Sequence, residues 1–105
     1  MKPAIDLVYF EGCPHLEAAR EALRAALGSS AGTTAWREWR SDDPALPEYA
    51  AGYGSPSIFV GAREVTGAAP TATATACRVY LDARGERLAA PSAAAIAAAI
   101  AAAAR

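Results

Sequence analysis

Histidine occurs once in this chain of 105 residues, methionine once and cysteine twice. A single histidine rules out a histidine-rich metal centre and leaves a serine–histidine–acid triad with poor material. Four-coordinate zinc would need ligands the chain barely has, and an iron–sulfur cluster would need thiols from a second chain or from outside. Bulky apolar residues are scarce as well: Leu, Ile, Val and Phe together number 17, against 30 alanines. The hydrophobic fraction of 53% therefore overstates the core, because much of it is helix-forming alanine. A net charge of −1 leaves no electrostatic footprint for nucleic acid or an anionic membrane, so neither is expected as a partner. Long hydrophobic runs are missing too. The alanine-rich end, residues 91–104, is too short and too weakly apolar to span a bilayer and reads as a soluble terminal helix. At the other end Asp6 interrupts any signal-peptide core, so the expected location is cytoplasmic. Cysteines there stay reduced, and they are candidates for reactivity or metal binding before a structural bridge. There is no phosphate loop, dinucleotide fingerprint or persuasive pair of carboxylates.

What is present is concentrated in LVYFEGCPHLEAAREALRAAL, residues 7–27. Leu7, Val8, Tyr9 and Phe10 make a short apolar, β-prone run that Glu11 and Gly12 break. Pro14 suits the first position of a helix, where its missing N–H costs nothing, which makes Cys13 the expected N-cap. Unpaired N–H groups and the positive end of the helix dipole would then face its sulfur and favour the thiolate. A nucleophile or a soft-metal ligand follows from that position, against the alternative of a small buried hydrophobe. In the helix, Leu16, Ala19, Leu23, Ala26 and Leu27 form one apolar stripe, with Glu17 to Arg20 and Glu21 to Arg24 pairs outside and Gly28 as the stop. His15, second in the helix, either tunes the Cys13 thiolate or faces solvent without a role.

The chain here resembles the thioredoxin superfamily, whose active cysteine follows the first core strand at the start of the first core helix, normally as Cys-x-x-Cys. Cys13-Pro14-His15 matches the start of the Cys-Pro-His-Cys motif of bacterial periplasmic disulfide oxidases, but Leu16 stands where the second cysteine would be. The segment Gly54-Ser55-Pro56-Ser57-Ile58-Phe59-Val60 looks like the cis-proline segment that leads into the third core strand, and the resemblance implies that Pro56 faces Cys13 while Ser55 offers backbone hydrogen bonds to an extended substrate. FEGCPHLEAARE, GSPSIFVGAREV and CRVY are similar to small bacterial thioredoxin-like proteins, some labelled alkylmercury lyase-like. The likeness runs from about residue 5 to residue 65 and is poor between residues 66 and 88.

Further along, residues 33–40 alternate well enough for a second strand, with Trp36 and Trp39 toward opposite faces. WREWR also interleaves aromatic and basic residues as a stacking surface for nucleic acid would, a reading the neutral charge disfavours. Asp43 before Pro44 signals a short helix through Ala51, ended by Gly52 and Gly54. Residues 57–65 read as a hairpin with Gly61 first in a two-residue turn. GAAPTATATA, residues 67–76, reads as loop, Cys77 to Leu81 as a short extended segment, residues 82–85 as a turn, and Ser92 as the cap of a last helix with Ile96 and Ile100 on one face.

The expectation is a single α/β domain over residues 1–105, with a thioredoxin-like fold and a central mixed sheet of about four strands with helices on both faces. The expected chemistry is that of a monothiol: the Cys13 thiolate attacks a disulfide or an electrophile, Pro14 organises the turn, His15 tunes it, and Ser55 and Pro56 position the substrate. Leu16 excludes a self-contained Cys-x-x-Cys cycle, so resolution falls to an external thiol such as glutathione or to Cys77. No bound cofactor is expected, and the partners would be a small thiol or a disulfide-bearing protein. Two alternatives remain open. Cys13 and Cys77 together would suit Hg(II) or another soft metal ion, with mercurial cleavage further requiring a proton donor such as Asp6, Glu11 or Glu17. The scaffold could instead serve as a non-catalytic binding module.

Overall fold

A computed structural model describes residues 4–31, 36–69, 80–82 and 84–103. The apolar run after Ala4 forms strand β1 (Ile5–Tyr9), followed by helix α1 (Leu16–Ala31), strand β2 (Arg37–Arg40), a single 3₁₀ turn (Glu48–Ala50), strands β3 (Ser57–Val60), β4 (Arg63–Glu64), β5 (Tyr80–Leu81) and β6 (Arg87–Leu88), and helix α2 (Ala93–Ala103). Four strands make one mixed sheet in the order β2-β1-β3-β4, with β1 parallel to β2 and antiparallel to β3. The hairpin β5-β6 stands apart as a second, two-stranded sheet.

The period-2 alternation of the central strands divides the core. Ile5, Leu7, Ile58 and Val60 point to one face, where they pack with Ala19 and Leu23 of α1 and Ile96 of α2. Leu16, Ala26 and Leu27 complete the expected stripe of α1, whose regular course ends at Gly28 (φ 67, ψ 179). Ser92 caps α2 through its hydroxyl, which accepts the Ala95 N–H at 3.1 Å. Val8 and Phe59 point to the other face, against Ala50, Leu46 and Tyr53. Trp36 packs on the first side and Trp39 on the second, as their odd spacing requires.

Among the described residues both α-helices therefore lie on one face, where the expectation had helices on both. The segment expected to be a helix through Ala51 holds only the 3₁₀ turn. Pro47 is the reason: it has no N–H to give an inner helical turn, and it biases Leu46 before it toward extended backbone. The hairpin turn at Gly61 and Ala62 connects β3 to β4 with both residues at positive φ (57 and 69), the pattern of a type I′ turn. The loop at residues 67–76 lies mostly outside the described residues, as do residues 33–35 of the longer second strand and residues 77–79 ahead of β5.

Candidate functional site

Cys13 sits at the end of a four-residue turn that leaves β1. Its N–H donates to the Phe10 carbonyl at 3.1 Å, with Gly12 third in the turn at φ 85. A Cβ at Gly12 would meet nothing within 4 Å, so the backbone conformation rather than lack of room calls for glycine. Cys13 then opens a second tight turn, its carbonyl accepting the Leu16 N–H at 3.4 Å. The first α-helical bond, Ala19 N–H to the His15 carbonyl at 3.2 Å, comes only after it. The helix thus starts at Leu16, later than expected, and Pro14 is the second residue of a turn rather than the first of the helix. Cys13 is half-buried with a free thiol; Pro14 is exposed and His15 half-buried.

Ser55 and Pro56 lie on β3's approach and are both fully buried, and the Ser55–Pro56 peptide bond is cis. Three hydroxyls tie this segment down. Ser55 Oγ accepts the Phe10 N–H at 3.2 Å, Ser57 Oγ donates to the Gly54 carbonyl, and Tyr80 Oη donates to the Pro56 carbonyl. Phe10 is thereby shared: its N–H is held by Ser55 and its carbonyl by Cys13. On the opposite flank the Ser41 N–H donates to the Tyr9 carbonyl at 2.7 Å, and Arg40 bridges Glu11 and Asp42, each at 2.9 Å. These two carboxylates, Asp42 first, hold the Arg40 guanidinium more firmly protonated than usual. The turn that carries Cys13 is braced from β2 on one side and from the Pro56 segment on the other.

None of the three acids considered as proton donors is idle. Glu11 is paired with Arg40, and Glu17 with Arg20 and Arg24. Asp6 is fully buried in β1, on the sheet face away from α1. Its Oδ1 accepts from Arg37 Nε at 3.0 Å and Trp39 Nε1 at 2.9 Å, and its Oδ2 from Tyr49 Oη at 2.5 Å. Burial, followed by this bond to the Asp6 carboxylate, pushes the Tyr49 phenol above its ordinary pKa. Tyr49 and Tyr53 stand edge-on to Phe59 on that far face, and Tyr80 holds Pro56.

Sequence reasoning missed the bond from Tyr80 to Pro56, the bracing by Arg40 and the Asp6 cluster. The one signal for the last was a carboxylate inside an apolar strand, which cannot stay buried without donors. Cys77 lies outside the described residues. Among the described residues no three His, Cys, Asp or Glu side chains group as a metal site, and no helix is long and apolar enough to cross a membrane. Compared with protein-family models, curated proteins and solved structures, the chain matches none.

Proposed function

We propose that this is a thioredoxin-like monothiol protein that performs thiol–disulfide chemistry at Cys13. The observation that carries the reading is the sharing of Phe10, whose N–H and carbonyl couple the buried Ser55–Pro56 segment to the cysteine turn in a sheet ordered β2-β1-β3-β4. In the proposed cycle the Cys13 thiolate attacks one sulfur of a disulfide, forming a mixed disulfide and releasing the other sulfur as a thiolate. An external thiol such as glutathione then attacks that bond, restores Cys13 and leaves with the bound sulfur. Leu16 makes the external thiol necessary within the motif. Pro14 shapes the turn, His15 adjoins the sulfur in sequence, and Ser55 and Pro56 orient the incoming disulfide.

A second reading is a soft-ion site made by Cys13 and Cys77. Two thiolates suit a linear Hg(II) complex. Turnover of a glutathione mixed disulfide and titration with Hg(II), each on the reduced wild type, Cys13→Ser and Cys77→Ser, separate the two readings. The monothiol reading expects turnover that survives Cys77→Ser and is abolished by Cys13→Ser. One-to-one Hg(II) binding that collapses in either variant, without turnover, would replace it with the metal reading. If neither activity appears, a non-catalytic binding module is left.

A further inference from the structure

We infer that the side chain of Ser55 is a positioning residue, one that continues the β1–β3 ladder beyond its backbone limit in order to fix the cysteine turn against the Pro56 segment. The inference rests on the proposed thiol chemistry for its functional consequence, but its geometry stands on the sheet register alone. In the antiparallel pair, Asp6 lies opposite Phe59 and Val8 opposite Ser57. The same register extended backwards sets Ala4 opposite Gly61, and there the Gly61 N–H donates to the Ala4 carbonyl at 2.8 Å. Hydrogen-bonded pairs alternate along an antiparallel ladder, so Ala4, Asp6 and Val8 belong to the bonding set and Phe10 is its next member. Continued forward, the register puts Phe10 opposite Ser55.

A regular ladder would give the Phe10 N–H to the Ser55 carbonyl. It goes instead to Ser55 Oγ, at 3.2 Å, across 45 residues of chain. A side-chain oxygen has thus taken the place of a backbone one where β3 has not yet begun. An apolar residue at position 55 could not do this, because it would leave the Phe10 N–H in a part-buried place with no acceptor. Ser55 is 1% exposed, so water is poorly placed to substitute. At the other end of the same residue, the Phe10 carbonyl holds Cys13. Releasing Ser55 therefore frees the turn on its Pro56 side while Arg40 and Ser41 still hold it on the β2 side.

The test compares wild type with Ser55→Ala and Ser55→Thr, the second keeping the hydroxyl. Amide hydrogen exchange is read at Phe10, with Asp6 and Val8 as internal references, and kinetics are read with a peptide disulfide and with iodoacetamide. In Ser55→Ala the Phe10 amide should lose about tenfold in protection while Asp6 and Val8 keep theirs, the loss expected for one hydrogen bond. KM for the peptide disulfide should rise by about the same factor, with alkylation of Cys13 by iodoacetamide within about twofold of wild type. Ser55→Thr should stay close to wild type in every measurement. Unchanged Phe10 protection, an unchanged KM, or alkylation that falls in step with disulfide exchange would each overturn the assignment. If the wild type exchanges no disulfide, the proposed function fails on its own account, and Phe10 protection alone decides for or against Ser55.

Discussion

Ala62 holds a backbone conformation that its side chain opposes, being the one non-glycine among the described residues at positive φ. A type I′ turn demands this of both its central residues, and Gly61 meets the demand without strain. An L-residue in the left-handed region costs about 1–2 kcal/mol, and glycine gives back part of that through greater freedom in the unfolded chain. Ala62→Gly should raise stability by about 0.5–1 kcal/mol in urea unfolding, with the denaturant slope unchanged; a loss of stability would show that the turn tolerates alanine. Glycine's place in this turn was legible from the Gly-Ala pair between two β-prone runs, whereas the positive φ of Ala62 follows from the strand pairing it has to close. Cys13, Ser55 and Pro56 were equally legible as residues of interest. The hydrogen bond that joins them through Phe10 was not, because it depends on a register between positions 45 apart.

At the scale of the elements, α1 was the plainest feature, since its apolar stripe repeats at helical spacing and each member packs as that spacing implies. On its polar face the expected Glu17–Arg20 pair forms, whereas Arg24 turns to Glu17 rather than to Glu21. Arg20 makes a two-pronged contact with Glu38 of β2, at 2.7 and 2.9 Å, and a longer one with Glu17, at 3.2 Å, while Arg24 also reaches Glu17, at 3.3 Å. Trp36 adds its indole N–H to Glu38 at 2.9 Å. The Arg20 bond, opposed by burial and helped by Trp36, holds the Glu38 carboxyl below its ordinary value. A depressed folded pKa means that the unfolded chain binds its proton first on acidification. The contribution is therefore present above the ordinary carboxylate pKa and is lost as pH falls through the lower folded value. Glu38→Gln should flatten that acid limb of stability while costing about 1 kcal/mol or less at neutral pH, since the pair is partly exposed. Chemical denaturation from neutral pH down to about pH 3 checks it; an acid limb equally steep in the variant would assign the loss to other carboxylates.

At the scale of the whole molecule, the sheet face opposite the helices is held by polar bonds as well as by packing. Asp6 joins β1 to β2 through Arg37 and Trp39, and to the loop carrying the 3₁₀ turn through Tyr49. Asp6→Ala should cost about 1–3 kcal/mol, because it removes the shared acceptor of Arg37, Trp39 and Tyr49 while Arg37 and Tyr49 retain contact with water. Arg37→Ala should cost about 3 kcal/mol, because it leaves the fully buried Asp6 carboxylate without its cation, and a loss of about 1 kcal/mol or less would refute that reading. The raised Tyr49 pKa has the opposite sign to that of Glu38. Its contribution is full below the ordinary phenol pKa and is lost as pH rises through the higher folded value, so Tyr49→Phe should blunt the alkaline limb. By itself the sequence determined the elements whose causes are local: the β1 run, the α1 stripe, the Ser92 cap, the glycine turns and the cysteine between strand and helix. Tertiary structure alone decided that both helices share a face, that Asp6 is buried with three donors, that Tyr80 holds Pro56 and that Ser55 reaches Phe10. Each of these joins residues distant in the chain, and such pairings are set by strand order and register, to which neither propensity nor periodicity within one segment is sensitive.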